Sequence, residues 1–164
     1  MQIVKKFILL LFILALLLLL AFYYNKRMQA PDVIFTTLAG KTIHMADLKG
    51  KVVLVNFWST DCKDCVQEMP DLVNTYNSYK SKNFAIIAVA MSWDPPAQVL
   101  NYATHKKLPF MVMHDGFGEV EKKFHGVSAT PTTYVFDQSG KRLFYKVGRL
   151  NFTELNQLLN KALS

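Results

Sequence analysis

The sequence predicts an α/β fold: a mixed central sheet flanked by helices, preceded by a β-hairpin and an N-terminal transmembrane anchor helix. Three observations carry that prediction. Lys51 to Trp58 (KVVLVNFW) and Asn83 to Met91 (NFAIIAVAM) are near-continuous β-branched and aromatic runs, the pattern of strands buried on both faces. Between them Val66, Met69, Leu72, Val73, Tyr76 and Tyr79 recur at three- and four-residue spacings, which makes one apolar face of a helix. Strand, helix and strand in that order form a βαβ unit with parallel strands and a right-handed crossover. Finally, Phe7 to Phe22 is an unbroken apolar run that Tyr23 and Tyr24 extend.

That first run would cover about 27 Å as a helix, close to the ~30 Å hydrocarbon core of a bilayer. It reads as an uncleaved anchor rather than a cleaved signal peptide. The apolar core is long, the residues after it are bulky or charged, and Met28-Gln29-Ala30 is a poor cleavage site. Lys5 and Lys6 on one side nearly balance Lys26 and Arg27 on the other. An inside N-terminus is preferred because it also puts the cysteines in an oxidising compartment. The expected organisation is an anchor over residues 1–27, a linker over 28–32 and one folded domain over 33–164.

Val33 to Thr37 and Thr42 to His44, around Leu38-Ala39-Gly40-Lys41, read as the hairpin, and Ala46 to Gly50 as a turn. Pro70 falls inside the first domain helix and is expected to kink it. Asp94-Pro95-Pro96 reads as a capped start of the next helix, running to about Lys106. Pro109 to His114 is a short strand and Phe117 to Phe124 a short helix. Thr132 to Asp137 and Arg142 to Val147 are strands joined by the turn Gln138-Ser139-Gly140-Lys141. Asn151 caps a last helix with Phe152, Leu155, Leu158, Leu159 and Ala162 on its apolar face.

The formal charge is +7, and four of the positive charges lie in the first 30 residues, which hold no acid. The remainder is mildly basic with interspersed signs, which gives no support to nucleic-acid binding.

The chemistry concentrates in Trp58 to Cys65 (WSTDCKDC), which holds the two cysteines of the chain at C-x-x-C spacing. A strand handing over to a helix there brings both sulfurs within bonding reach. The first cysteine lies by the helix N-terminus, where unpaired N–H groups and the helix dipole favour a thiolate. Cys62 is then the attacking nucleophile and Cys65, one turn further in, resolves the mixed disulfide. Other readings compete. A structural disulfide over so short a loop would constrain the unfolded chain little. A zinc site wants four ligands, and no second C-x-x-C is present, with His44, His105, His114 and His125 placed singly. Idle core thiols are the third reading.

Three stretches carry a resemblance. They are Pro31-Asp32-Val33 with the hairpin and Leu48-Lys49-Gly50-Lys51; Asn56 to Pro70 (NFWSTDCKDCVQEMP); and Gly126 to Lys141 (GVSATPTTYVFDQSGK). On these, Pro31 to about Leu159 resembles the TlpA/ResA-like group of membrane-anchored thiol–disulfide oxidoreductases of the bacterial envelope, which have a thioredoxin fold. The resemblance implies a Cys62–Cys65 redox disulfide and a cis peptide at Pro131 facing it. It also implies a Thr130 backbone that pairs with incoming substrate, and a Glu68 carboxylate that takes a proton from Cys65 or tunes the thiols. Trp58, Asp61, Lys63, Asp64, Thr130 and Pro131 are the expected substrate-facing residues. Asn56 stands where many thioredoxins have a buried Asp. Asp61 stands where the group usually has Trp, and Asp64 where it usually has Pro.

The implied activity is reduction of protein disulfides outside the cytoplasmic membrane, for example on apocytochrome c haem-binding thiols or oxidase copper-site thiols. A membrane thiol protein would supply electrons, and the two thiols would need no bound cofactor or metal. A thiol oxidase or isomerase of the same fold is the alternative. A tethered binding protein, chaperone or metal-carrying dithiol is a reading of another class. A peroxidase is disfavoured because Ser59 stands three residues before Cys62, where threonine is expected.

Overall fold

A computed structural model describes residues 2–164. Helix α1 spans Gln2–Met28. Strands β1 (Ile34–Thr36) and β2 (Thr42–His44) form the expected hairpin, and Met45–Leu48 is a 3-10 turn rather than a simple bend. Then follow β3 (Val52–Trp58), α2 (Lys63–Tyr79), β4 (Phe84–Ala90), α3 (Pro96–His105), β5 (Met111–His114), α4 (Glu119–Lys123), β6 (Thr132–Phe136), β7 (Arg142–Val147) and α5 (Phe152–Ala162).

The five-stranded sheet has the order β5-β4-β3-β6-β7, while the hairpin is a separate two-stranded sheet joined to β5 by a bridge between Thr37 and Met113. Strand β3 pairs parallel with β4 and antiparallel with β6, so the sheet is mixed as expected. Every residue of β3 and β4 is buried. Their side chains alternate between two cores. Val52, Leu54, Trp58, Ile86 and Ala88 face α2, α3 and α5. Val53, Val55, Phe57, Ile87 and Val89 face the hairpin, the 3-10 turn and α4. Each large apolar side chain so buried contributes about 1.5–3 kcal/mol, which explains why a two-faced apolar run ends up central.

One local expectation changes, at Asp94. Helix α2 begins at Lys63 with Cys62 as its N-cap, so the C-x-x-C lies in the first turn as expected. The helix continues across Pro70 to Tyr79; the proline removes one hydrogen bond, to the Val66 carbonyl. Asp94 does not cap α3: Pro95 is the N-cap, Pro96 opens the helix, and the Asp94 carboxylate is used elsewhere.

Helix α1 is long and apolar enough to cross a membrane over Val4–Met28, with mean hydropathy 2.9, and none of it is buried against the rest of the chain. The residues after it are tied down. Gln29 bridges to Lys141, the Ala30 N–H donates to the Gly140 carbonyl at 2.7 Å, and the Arg142 guanidinium donates to Met28 Sδ at 3.3 Å.

Candidate active site

Strands β3, β4 and β5 run parallel, so the segments that leave them converge at one end of the sheet. In open α/β sheets this carboxyl end is where chemistry is usually built. Strand β3 delivers Ser59 to Cys62 there, β4 delivers Met91 to Asp94, and β5 delivers His114 and Asp115. Strand β6 runs the other way and begins there. Phe57 pairs with Thr132, so the next step of that register brings Pro131 level with Trp58. The Thr130–Pro131 peptide is cis, as the resemblance implies. Pro131 is buried and Thr130 half-buried.

Cys62 and Cys65 are joined as a disulfide, with their Cα atoms 5.2 Å apart. Cys62 is half-buried and Cys65 fully buried, so Cys62 is the sulfur an incoming group can reach. Cys62 Sγ accepts from the Cys65 N–H at 3.2 Å. Sulfur thus does at this helix start what a Ser or Asp oxygen usually does, and the same N–H would stabilise a Cys62 thiolate.

Beneath Cys65, one turn along α2, Glu68 is only 1% exposed. One carboxylate oxygen accepts from Asn56 Nδ2 at 3.2 Å and the other from the Leu150 N–H at 3.1 Å. Asn56 Nδ2 also donates to Thr133 Oγ1 at 3.0 Å, while Asn56 Oδ1 has no partner. Burial pushes the Glu68 carboxyl above its ordinary value. The Leu150 N–H, the Asn56 amide and the Arg149 guanidinium pull the other way, and Asp64 adds a smaller upward push. Glu68 thus lies one helical turn from the buried Cys65 thiol position, with its pKa raised by burial.

Above the disulfide the loop is built from polar contacts. Ser59 Oγ donates to Asp61 Oδ1 at 2.5 Å. The Thr60 N–H donates to Asp94 Oδ2 at 2.6 Å, and the Thr60 hydroxyl donates to Asp94 Oδ1 at 2.5 Å. Asp94 is 2% exposed, and its carbonyl lies 2.8 Å from His114 Nε2. The loop after β4 is therefore fastened to the cysteine loop on one side and to β5 on the other. It carries Trp93, which is 52% exposed.

Cys62, Cys65 and Glu68 share the start of α2, the β3–β6 register carries Thr130 and Pro131 to the same end of the sheet, and Asp61, Lys63 and Asp64 are exposed. Trp58 is a correction to the expected substrate-facing set. It is fully buried, its ring lies 5.1 Å from that of Tyr102, and it offers nothing to a partner. Two residues escape the sequence reading. Asp94 reads there as a helix cap, although an acid in the loop after a buried central strand is a signal for this end of the sheet. Trp93 is an exposed aromatic in the loop that Asp94 fastens to the cysteine loop.

The AhpC/TSA family model matches residues 27–141. The chain belongs to that family. It is 37% identical over 133 residues to the thiol-disulfide oxidoreductase ResA of Bacillus thuringiensis subsp. konkukian, covering 81% of this chain and 76% of the relative. It is 36% identical over 134 residues to the thioredoxin-like protein YneN of Bacillus subtilis, covering 80% of this chain and 77% of that one. Among solved structures, a thiol:disulfide interchange protein of the thioredoxin family from Chlorobium tepidum superposes with a TM-score of 0.76 at 29% identity, covering 84% of this chain and 97% of that one. The thioredoxin fold and the ResA-like resemblance are both borne out. With the Cys62–Cys65 geometry, the likeness makes this chain a thiol–disulfide oxidoreductase.

Proposed function

We propose that the chain is a membrane-tethered reductase of protein disulfides, held in the cytoplasmic membrane by α1 with its domain facing the periplasm or cell exterior. The observation that carries the reading is a half-buried Cys62 at a helix start, backed by a buried Cys65 and the buried Glu68 carboxylate.

In the reduced protein the Cys62 thiolate attacks one sulfur of a substrate disulfide, and the other substrate sulfur leaves as a thiolate. The substrate is then bound to Cys62 as a mixed disulfide. Glu68 takes the proton from the Cys65 thiol. Cys65 attacks Cys62 Sγ, the Cys62–Cys65 disulfide forms, and the remaining substrate sulfur is released. Two electrons pass from the dithiol to the substrate. A membrane thiol protein restores the dithiol by the same exchange in reverse. Thr130 and Pro131 line the approach, and Asp61, Lys63 and Asp64 form the charged rim that a substrate meets.

The direction is tested by equilibrating Cys62–Cys65 with glutathione. A potential below about −220 mV supports a reductase, and one near about −120 mV would make the protein an oxidant and overturn the reading. The Cys62→Ser variant is expected to lose all reduction of insulin disulfides, and retained turnover would remove Cys62 from the mechanism.

A further inference from the structure

The end of the sheet opposite the cysteines is basic, and the anchor leaves from it. Strands β3, β4 and β5 all begin there. Lys49 and Lys51 lead into β3, Lys80 and Lys82 lead into β4, and Lys106 and Lys107 lead into β5. Strand β6 is antiparallel to β3 and ends there, so the β6–β7 turn with Lys141 joins them. Helix α5 also ends there: Tyr79, at the end of α2, donates its hydroxyl to Asn160 Oδ1 at 2.9 Å, which puts Lys161 at the same pole. All these lysines are exposed.

Two acids of this pole, Asp47 and Asp137, accept from backbone donors of their own turns, and the exposed Asp32 lies beside Lys49. Asp47 Oδ2 accepts from the His44 N–H at 3.1 Å, and Asp137 Oδ1 accepts from the Ser139 and Lys141 N–H groups, each at 2.9 Å. The cysteine end has a different balance. Asp61, Asp64, Glu68, Asp94 and Asp115 gather there around Lys63 and Arg149.

The anchor has no slack. Lys26 and Arg27 sit in the last turn of α1, Met28 ends it, and the Ala30 N–H is already bonded to Gly140 in the β6–β7 turn. Gln29 alone lies between, and one residue spans at most about 3.6 Å. If α1 crosses a bilayer, the β6–β7 turn of the lysine pole is held at headgroup level.

We infer that this pole is a docking face for anionic lipid headgroups, which lays the domain on the membrane with Cys62 pointing away from it. The inference rests on the proposed anchor. Basic residues close to an anionic surface are each attracted within about a Debye length, about 8 Å at physiological salt. Through the Ala30–Gly140 bond α1 holds the β6–β7 turn at that distance, and the inferred orientation brings the lysines before β3, β4 and β5 to the same level.

The test uses the full chain in nanodiscs, either of phosphatidylcholine alone or with phosphatidylglycerol added, and reads amide hydrogen exchange. With phosphatidylglycerol, the turns before β3, β4 and β5 are expected to exchange about fivefold more slowly or more. The cysteine loop should be unchanged. The effect should vanish at about 1 M salt, where the Debye length falls to about 3 Å. It should also vanish in the triple variant Lys49→Glu, Lys82→Glu, Lys107→Glu, whose fold is checked by retained exchange with a small disulfide. Glycerol phosphate added to neutral nanodiscs should not reproduce it. Equal exchange in both lipids, protection at the cysteine end, or protection by the free phosphate would overturn the inference. A chain that does not incorporate into neutral nanodiscs loses the anchor and the docking face together, whereas one that incorporates and shows no lipid dependence loses only the docking face.

Discussion

Two buried carboxylates flank the cysteine pair and are held differently. Glu68 lies below it and receives one donor on each oxygen, from Asn56 on β3 and from the backbone of Leu150 after β7. Asp94 lies beside it and receives both of its Thr60 donors from a single residue of the cysteine loop. Glu68 is held by donors from two separate elements, and burial raises its pKa. Asp94 is a clamp: it sets where the loop carrying Cys62 sits relative to the loop carrying Trp93. The comparison teaches that burial alone does not make a carboxylate part of the chemistry. What matters is whether its partners leave it a proton to exchange with a reacting atom.

The sharpest way to break this comparison is Glu68→Gln. If Glu68 accepts the Cys65 proton, resolution of the mixed disulfide should slow by about 100-fold, the lower end of what a positioned acid–base group contributes. Quenched-flow trapping of the mixed disulfide would show it accumulating. Stability should change little near pH 5. The introduced amide can accept from the Leu150 N–H and donate to Asn56 Oδ1, which now lacks a partner, if the Asn56 amide turns over. The sign with pH follows from the raised pKa. The folded state holds the Glu68 proton more tightly than the unfolded chain, so its contribution is fully present below the ordinary value of 4.5 and is lost as pH rises through the raised one. Urea midpoints of the wild type should therefore fall relative to Glu68→Gln as pH rises through that window. Parallel curves for the two proteins would place no ionisation at Glu68.

Asp94→Asn probes the other half. Asparagine keeps one acceptor for two donors, so about 1.5–3 kcal/mol of hydrogen bonding to a charged group is at risk. A fall of about 4–8 °C in Tm is expected for a loss of about 2 kcal/mol in a chain of this size, in both the disulfide and the dithiol forms. The rate of the resolution step should be nearly unchanged. A 100-fold loss in that step with no change in Tm would make Asp94 the proton acceptor and reverse the assignment.

These assignments show which features a sequence makes visible. The central strands are legible because β3 and β4 are apolar on both faces, and that pattern needs no partner to be read. Cys62, Cys65, Glu68 and Pro131 are legible through short stretches with a strong resemblance. The network around Glu68 is not, because Asn56, Thr133 and Leu150 come from three elements, and only the β3–β6 register and the β7–α5 turn bring them together. Asp94 misleads for a local reason. Asp-Pro-Pro is a good local helix start, but a tertiary contact with Thr60 claims the side chain and leaves Pro95 to cap. Trp58 reads as facing substrate from its nearness to Cys62 in sequence, yet the strand's alternation turns it into the α2 core.

The smallest expected effect falls on Trp93, which the Asp94 clamp carries to the rim. Its ring is half-exposed beside a cysteine loop whose own outer position is the exposed, charged Asp61. An aromatic there can cover apolar residues flanking a substrate cysteine, and tryptophan is the residue most often found to dominate such contacts. Trp93→Ala should raise KM for insulin or another protein disulfide by about tenfold, equivalent to about 1.4 kcal/mol, and leave kcat alone. Reaction with glutathione disulfide, too small to reach the rim, should be unchanged. Because Asp94 keeps its Thr60 contacts in this variant, Tm should hold. Equal loss toward both substrates would mean that Trp93 supports the loop rather than meets the substrate, and the clamp would then extend to it.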